Sequence, residues 1–121
     1  MMEELLKKIN QGYDGLIRVI KVFNGFQNAE ITISVIDLEN NRDWINVVFF
    51  IKGIKEFKIN QRMNFSNVVL SDGIKFKKID NHFYIDFAPY SDEIVTIEDF
   101  RFSDIYFGCD SIEWETKSYS E

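Results

Sequence analysis

The residues of this chain that could do covalent or acid–base chemistry are few and far apart. There is one histidine, His82, and one cysteine, Cys109. A Ser-His-Asp triad would have to be assembled around His82. That residue shares a face of its expected strand with Tyr84 and Asp86, the setting of a surface or half-buried histidine. Cys109 precedes Asp110, whose carboxylate raises a neighbouring thiol's pKa, the reverse of what a nucleophile needs. Transition-metal sites draw on clusters of His and Cys, and these two stand apart. Asp104 and Asp110 could join an all-oxygen site, but the EF-hand spacing is missing. The six glycines fall into neither of the phosphate-cradling patterns. Glu113 and Glu115, two apart in a strand, point to one face. Their pairing suits acid–base work, and it suits equally a patch that receives Lys and Arg from a partner. With Trp114 between them, the carboxylates are expected outward and the indole inward. The inventory points to binding rather than catalysis, with no cofactor and no metal.

Those residues need a scaffold, and the composition supplies one. A chain of 121 residues fits a single domain, and 45% hydrophobic residues can fill a core. The aromatic set is large, 12 Phe, 5 Tyr and 2 Trp, and such side chains favour β-structure. Residues 3–24 read as helical: Leu5, Leu6 and Ile9 form one stripe, and Leu16, Val19, Ile20 and Phe23 recur at helical spacing. Gly12 and Gly15 weaken the middle, Asp14 offers a cap for a restart, and Asn24-Gly25 offers a stop. From Ala29 the period becomes two, with Ile31, Ile33 and Val35 on one face. The polar turn Glu39–Arg42 leads into an apolar strand from Trp44 to Ile51, making a hairpin. Glu56–Ile59 reads as a short strand after a bend at Gly53. Asp80-Asn81 is a tight turn between strands 74–79 and 82–88, and the second of these points Phe83, Ile85 and Phe87 to one side. Segments 94–97, 100–107 and 111–115 keep strand composition. The expected fold is α+β and mainly β: an N-terminal helical segment on a strongly twisted antiparallel sheet of about seven strands. The β-rich part spans residues 28–117.

Charge is distributed unevenly along the chain. Residues 1–85 carry 10 acidic and 12 basic side chains, and residues 86–121 carry 10 acidic and two basic. An acidic C-terminal third repels phosphate backbones and speeds encounter with basic partners, so nucleic acid is a poor candidate ligand. A plain solvated surface kept for solubility would carry the same charge. One cysteine permits no intrachain disulfide. The N-terminal residues lack the apolar run of an export signal, and no stretch is apolar enough for a membrane helix. The expected compartment is the cytoplasm.

The segment Phe26-Gln27-Asn28-Ala29-Glu30-Ile31 resembles the opening motif of the small bacterial proteins grouped as immunity protein 50, partners of polymorphic toxins. There the run is commonly Phe-His-Asp-Ala-Glu and an aliphatic residue. The turn at Glu39–Arg42, the apolar strand ending at Gly53-Ile54, Asn64-Phe65-Ser66-Asn67-Val68-Val69, and Phe83-Tyr84-Ile85-Asp86-Phe87-Ala88-Pro89 follow in matching order. The likeness covers about three quarters of the chain. Gln27 and Asn28 replace the family's His and Asp, which removes any ionisable role for that pair and leaves a structural join between helix and sheet. The resemblance implies an antitoxin that binds and blocks a cognate toxin domain. A basic nuclease is the partner that fits the charge. The expected interface is Glu98, Asp99, Asp104, Asp110, Glu113 and Glu115, with Tyr106, Tyr90 or Tyr119 as aromatic anchors. Two other classes fit the same residues: a homodimeric adaptor pairing through a strand edge, and a ligand binder with a Phe-lined pocket between helix and sheet.

Overall fold

Stretches rich in β-branched and aromatic residues take up most of the chain, and in the computed structural model they pair into one sheet. The structure describes residues 2–60 and 68–119. In chain order the elements are α1 (Met2–Lys8), a 3-10 turn (Asn10–Gly12), β1 (Leu16–Phe23), β2 (Asn28–Asp37), β3 (Asp43–Ile59), β4 (Lys75–Ile79), β5 (His82–Asp86), α2 (Ile97–Arg101) and β6 (Ile105–Ser118). The six strands lie in the order β1-β2-β3-β6-β5-β4, every pairing antiparallel. The mainly β, antiparallel architecture with a short N-terminal helix is thus the one expected. Among the described residues the strands number six rather than about seven: Glu56–Ile59 continues β3, 94–97 is not a strand, 105–107 and 111–115 belong to the single strand β6, and 16–23 adds one.

One element differs in kind from the sequence reading. Residues 16–23 are a strand, not the second half of a helix. A register shift between Ile17 and Val19 places an extra residue, Arg18, opposite β2. The bulge moves the core-facing positions to Ile17, Ile20 and Val22, which pack on the main core. A strand with such an irregularity imitates helical spacing. Phe26–Ile31 therefore joins two strands, through Asn24, Gly25 and Phe26 at positive φ, rather than a helix and a sheet. Ala29, in the middle of that run, is buried, and its small side chain lets the strands pack closely. The Asn64–Asn67 part of the expected motif lies outside the described residues.

The main core gathers Ile31, Ile33 and Val35 of β2, Val47, Phe49 and Ile51 of β3, and Ile85, Phe107 and Cys109 of β5 and β6. The α1 residues Met2, Leu5 and Leu6 close over it, with Ile9 just beyond. Phe49, Phe87, Phe107 and Phe57 form a continuous ring series through it, with centroids 5.6–6.5 Å apart. At Gly53, φ +67, the long β3–β6 ladder changes face: core positions run Ile51 then Ile54 on one strand, and Ile112 then Cys109 on the other. A Cβ at Gly53 would press on Asp110, so only glycine allows this crossing. The chain returning at residues 68–70 pairs with the start of β1, through Ile17 N–H to Val68 O (2.7 Å) and Leu70 N–H to Gly15 O (2.8 Å).

Candidate partner-binding surface

The face of β5 and β6 that bears Tyr84, Asp86 and Tyr106 is covered rather than wet. Residues 88–104, hereafter the cover, leave β5, turn through α2 and return to β6. Phe100 of α2 is fully buried and packs its ring 5.3 Å from Tyr84, with Tyr106, Ile79, Ile94 and Ile97 around them. Tyr84 in turn lies over Gly108, where an added Cβ would approach the ring to 2.5 Å. Segments 94–97 and 100–107 were expected as strands, and of these only residues 105–107 are, as the start of β6. Instead Thr96 begins a helix, and its hydroxyl accepts from Asp99 N–H while Asp99 accepts from Thr96 N–H. This reciprocal cap satisfies donors at the helix start.

Polar contacts pin the cover down. Arg101 donates two hydrogen bonds to Glu56 of β3, both 2.8 Å, and a third to Glu98 at 2.6 Å. Tyr106 O–H donates to Glu56 (2.8 Å), and Lys58 Nζ donates to the Arg101 carbonyl (2.6 Å). The Arg101 guanidinium holds the Glu56 carboxyl below its ordinary range. Beneath, Ser103 O–H donates to the buried Asp86, which also accepts from Ala88 N–H at 2.9 Å. Burial pushes Asp86 up to about 6.

On its outer side the cover is both apolar and acidic. Tyr90, Val95 and Phe102 are 54%, 54% and 69% exposed, and the Tyr90 and Phe102 rings touch at 5.4 Å. The same segment carries Asp92, Glu93, Glu98, Asp99 and Asp104, against Arg101 as its one basic residue, and Asp99 accepts from Tyr90 O–H.

The structure divides the seven expected interface residues. Glu98, Asp99 and Asp104 belong to the cover. Asp99 is committed to structure: Val95 N–H, Thr96 N–H and Tyr90 O–H donate to it at 2.8–3.0 Å, holding it to about 2. Asp104 accepts from Asn60 Nδ2 at 3.2 Å. Tyr106, expected as an exposed anchor, is buried under the cover, because it shares a face with Tyr84 and Phe100. Asp110, Glu113 and Glu115 lie on β6 away from the cover. At roughly 3.3 Å per residue, Glu115 stands on the order of 30 Å along the strand from Ile105. Each is paired: Asp110 with Lys55 (3.4 Å), Glu113 with Lys52 (3.4 Å), Glu115 with Lys117 (3.2 Å). The Glu113 and Glu115 side chains do point away from the core while Trp114 packs on it, as expected.

The nucleophile candidates have settled surroundings. His82 Nδ1 is 3.2 Å from Asp110 Oδ1, an ion-pair distance without hydrogen-bond alignment. Cys109 is buried and donates to Phe83 O at 3.6 Å. Burial, and secondarily the Asp110 carboxylate, push its thiol up to about 12. Among the described residues no group of His, Cys, Asp and Glu is arranged to hold a metal ion, and no helix is long and apolar enough to cross a membrane. No protein-family model matches the chain, and no curated protein or solved structure matches it either. Sequence reasoning missed Phe102, whose exposure follows from the unexpected helix, although Thr96-Ile97-Glu98-Asp99 carries the capping pattern that signals one.

Proposed function

We propose that this chain is an antitoxin of the immunity-protein kind, which binds a basic cognate toxin domain through the outer side of the cover. The observation that carries the reading is the exposed Tyr90–Phe102 pair inside a segment with five carboxylates and one cation. Aromatic anchors supply most of the energy of protein interfaces, and the surrounding charge sets encounter rate and partner choice. The cover is held to the sheet by hydrogen bonds and by buried Phe100, so it meets a partner with little ordering cost. The resemblance to immunity protein 50 agrees with this role. Blocking a toxin asks for a stable scaffold and a tight interface, and the deep burial of Cys109 suits that better than reactivity.

The test is growth rescue. Cells expressing the C-terminal domain of the toxin gene adjacent to this one should survive when this chain is co-expressed. Tyr90→Ala/Phe102→Ala should lose that protection while the protein stays folded, since both rings are more than half exposed and Phe100 still anchors the cover. Absence of rescue by the unaltered chain would reject the antitoxin reading, and full rescue by the double variant would move the interface off the cover.

A further inference from the structure

On the opposite face of the sheet from the cover, the core is left open beside the start of α1. A cavity of about 310 Å3 lies there, walled by Met2, Phe76, Phe83, Ile112 and Trp114, with Glu3 and Lys78 at its lips. The walls are fixed. Phe76 stacks on Phe83 at 5.9 Å, and Phe76, Phe83, Ile112 and Trp114 all pack on the main core behind them. Phe76 and Lys78 alternate along β4 and so project from one face, each beside β5. The Lys78 ammonium is held 5.7 Å from the Phe83 ring centre. No carboxylate among the described residues lies within ion-pair distance of it.

We infer that this cavity binds an amphipathic monocarboxylate, the apolar body inside and the carboxylate on Lys78. An apolar chamber with one or two placed polar groups is the ordinary form of a small-molecule site. Its volume is at the lower end of the roughly 300–1,000 Å3 that such sites span, so the body is short. The sign of the head group follows from the rim. Lys78 lies over a wall residue, and among the described residues no carboxylate pairs with it. Glu3 sits in the first turn of α1, where the helix dipole already stabilises it. An anionic head therefore gains from Lys78 and is repelled by Glu3. This site is independent of the cover and of any toxin.

Trp114 reports occupancy once Trp44 is replaced. In a Trp44→Phe background, octanoate below its micelle concentration should change Trp114 fluorescence saturably, and bind more tightly than octanol or octyltrimethylammonium. Lys78→Gln should weaken octanoate roughly threefold, the size of an exposed ion pair, and leave octanol unchanged. Glu3→Gln should strengthen octanoate. Equal affinity for octanoate and octanol, an unaltered octanoate constant in Lys78→Gln, weaker octanoate binding in Glu3→Gln, or no saturable Trp114 response would each overturn the assignment.

Discussion

Asp86 occupies a position where a charge is expensive. It has no exposed surface, faces the cover, and is surrounded by Ser103, Ala88, Asp104 and Lys58. Two donors partly compensate its ion, yet burial dominates and raises the group from an ordinary 3.8 to about 6. The folded state therefore holds a proton that the unfolded chain has released between about pH 4 and 6. The contribution to stability is fully present below pH 4 and lost as pH rises through 6. Asp86→Asn keeps one oxygen for the Ala88 N–H, presents its NH2 to the Ser103 hydroxyl, which can turn to accept, and cannot ionise. Its stability relative to the unaltered protein should rise with pH across that window, by up to about 3 kcal/mol, as urea midpoints at pH 4 and pH 7.5 would show. A difference that stays flat with pH would mean that Asp86 remains solvated enough to ionise normally. Other carboxylates act in the opposite direction, Asp99 above all, so the comparison must be between the two proteins rather than within one pH curve.

At the scale of elements, the cover is the part to which we assign function, and its hold on the sheet rests on a few named contacts. Its five-residue helix cannot be stable alone and depends on the Thr96–Asp99 cap and on buried Phe100. Thr96→Ala should cost about 1 kcal/mol. Hydrogen exchange should place that loss in the amides of 97–103, with those of β2 and β3 unchanged. The same element marks the limit of what the sequence could disclose. The hairpins were legible, because Asp80 and Asn81 both take positive φ at a two-residue turn and Glu39–Arg42 interrupts two apolar runs. The inward set Phe83, Ile85 and Phe87 was legible from simple alternation. Periodicity failed where the chain departs from period two for a tertiary reason. The bulge at Arg18 turned a strand's spacing into a helix's. Around α2, Ile94, Ile97 and Phe100 face the outer side of the sheet, a second small core that alternation within one strand cannot announce. The candidate surface was half visible for the same reason: its charge could be counted, but Phe102 could not be turned outward without the helix. The sheet edges are also better guarded than the sequence suggested. Val68 and Leu70 occupy the start of β1, and Lys75, Lys77 and Lys78 line β4, a composition that discourages pairing with a second copy.

For the whole molecule, the division into a basic first two thirds and an acidic last third is a property of the chain and not of the surface. β3 and β6 run antiparallel over most of their length, so the acidic third is laid directly against lysines of the other part. Lys52 meets Glu113, Lys55 meets Asp110, and Arg101 of the acidic third reaches back to Glu56. Along β6 the field is thereby largely cancelled, while among the described residues Asp92 and Glu93 of the cover stand outside every ion pair. Under the proposed antitoxin reading, steering of a basic partner comes from the cover, because exposed charges already paired at a few ångströms project little beyond the Debye length of about 8 Å at physiological salt. Two variants of equal charge separate these sources. Asp92→Asn/Glu93→Gln removes two carboxylates from the cover, and Glu113→Gln/Glu115→Gln removes two from β6. Net charge changes identically, so any difference between them is local. Stopped-flow association with the cognate toxin domain should be slowed severalfold by the first pair, with a shallower dependence on salt, and scarcely altered by the second. Equal slowing by both pairs would show that the overall charge of the molecule does the steering, and slowing by the β6 pair alone would place the encounter surface on the open face of the sheet.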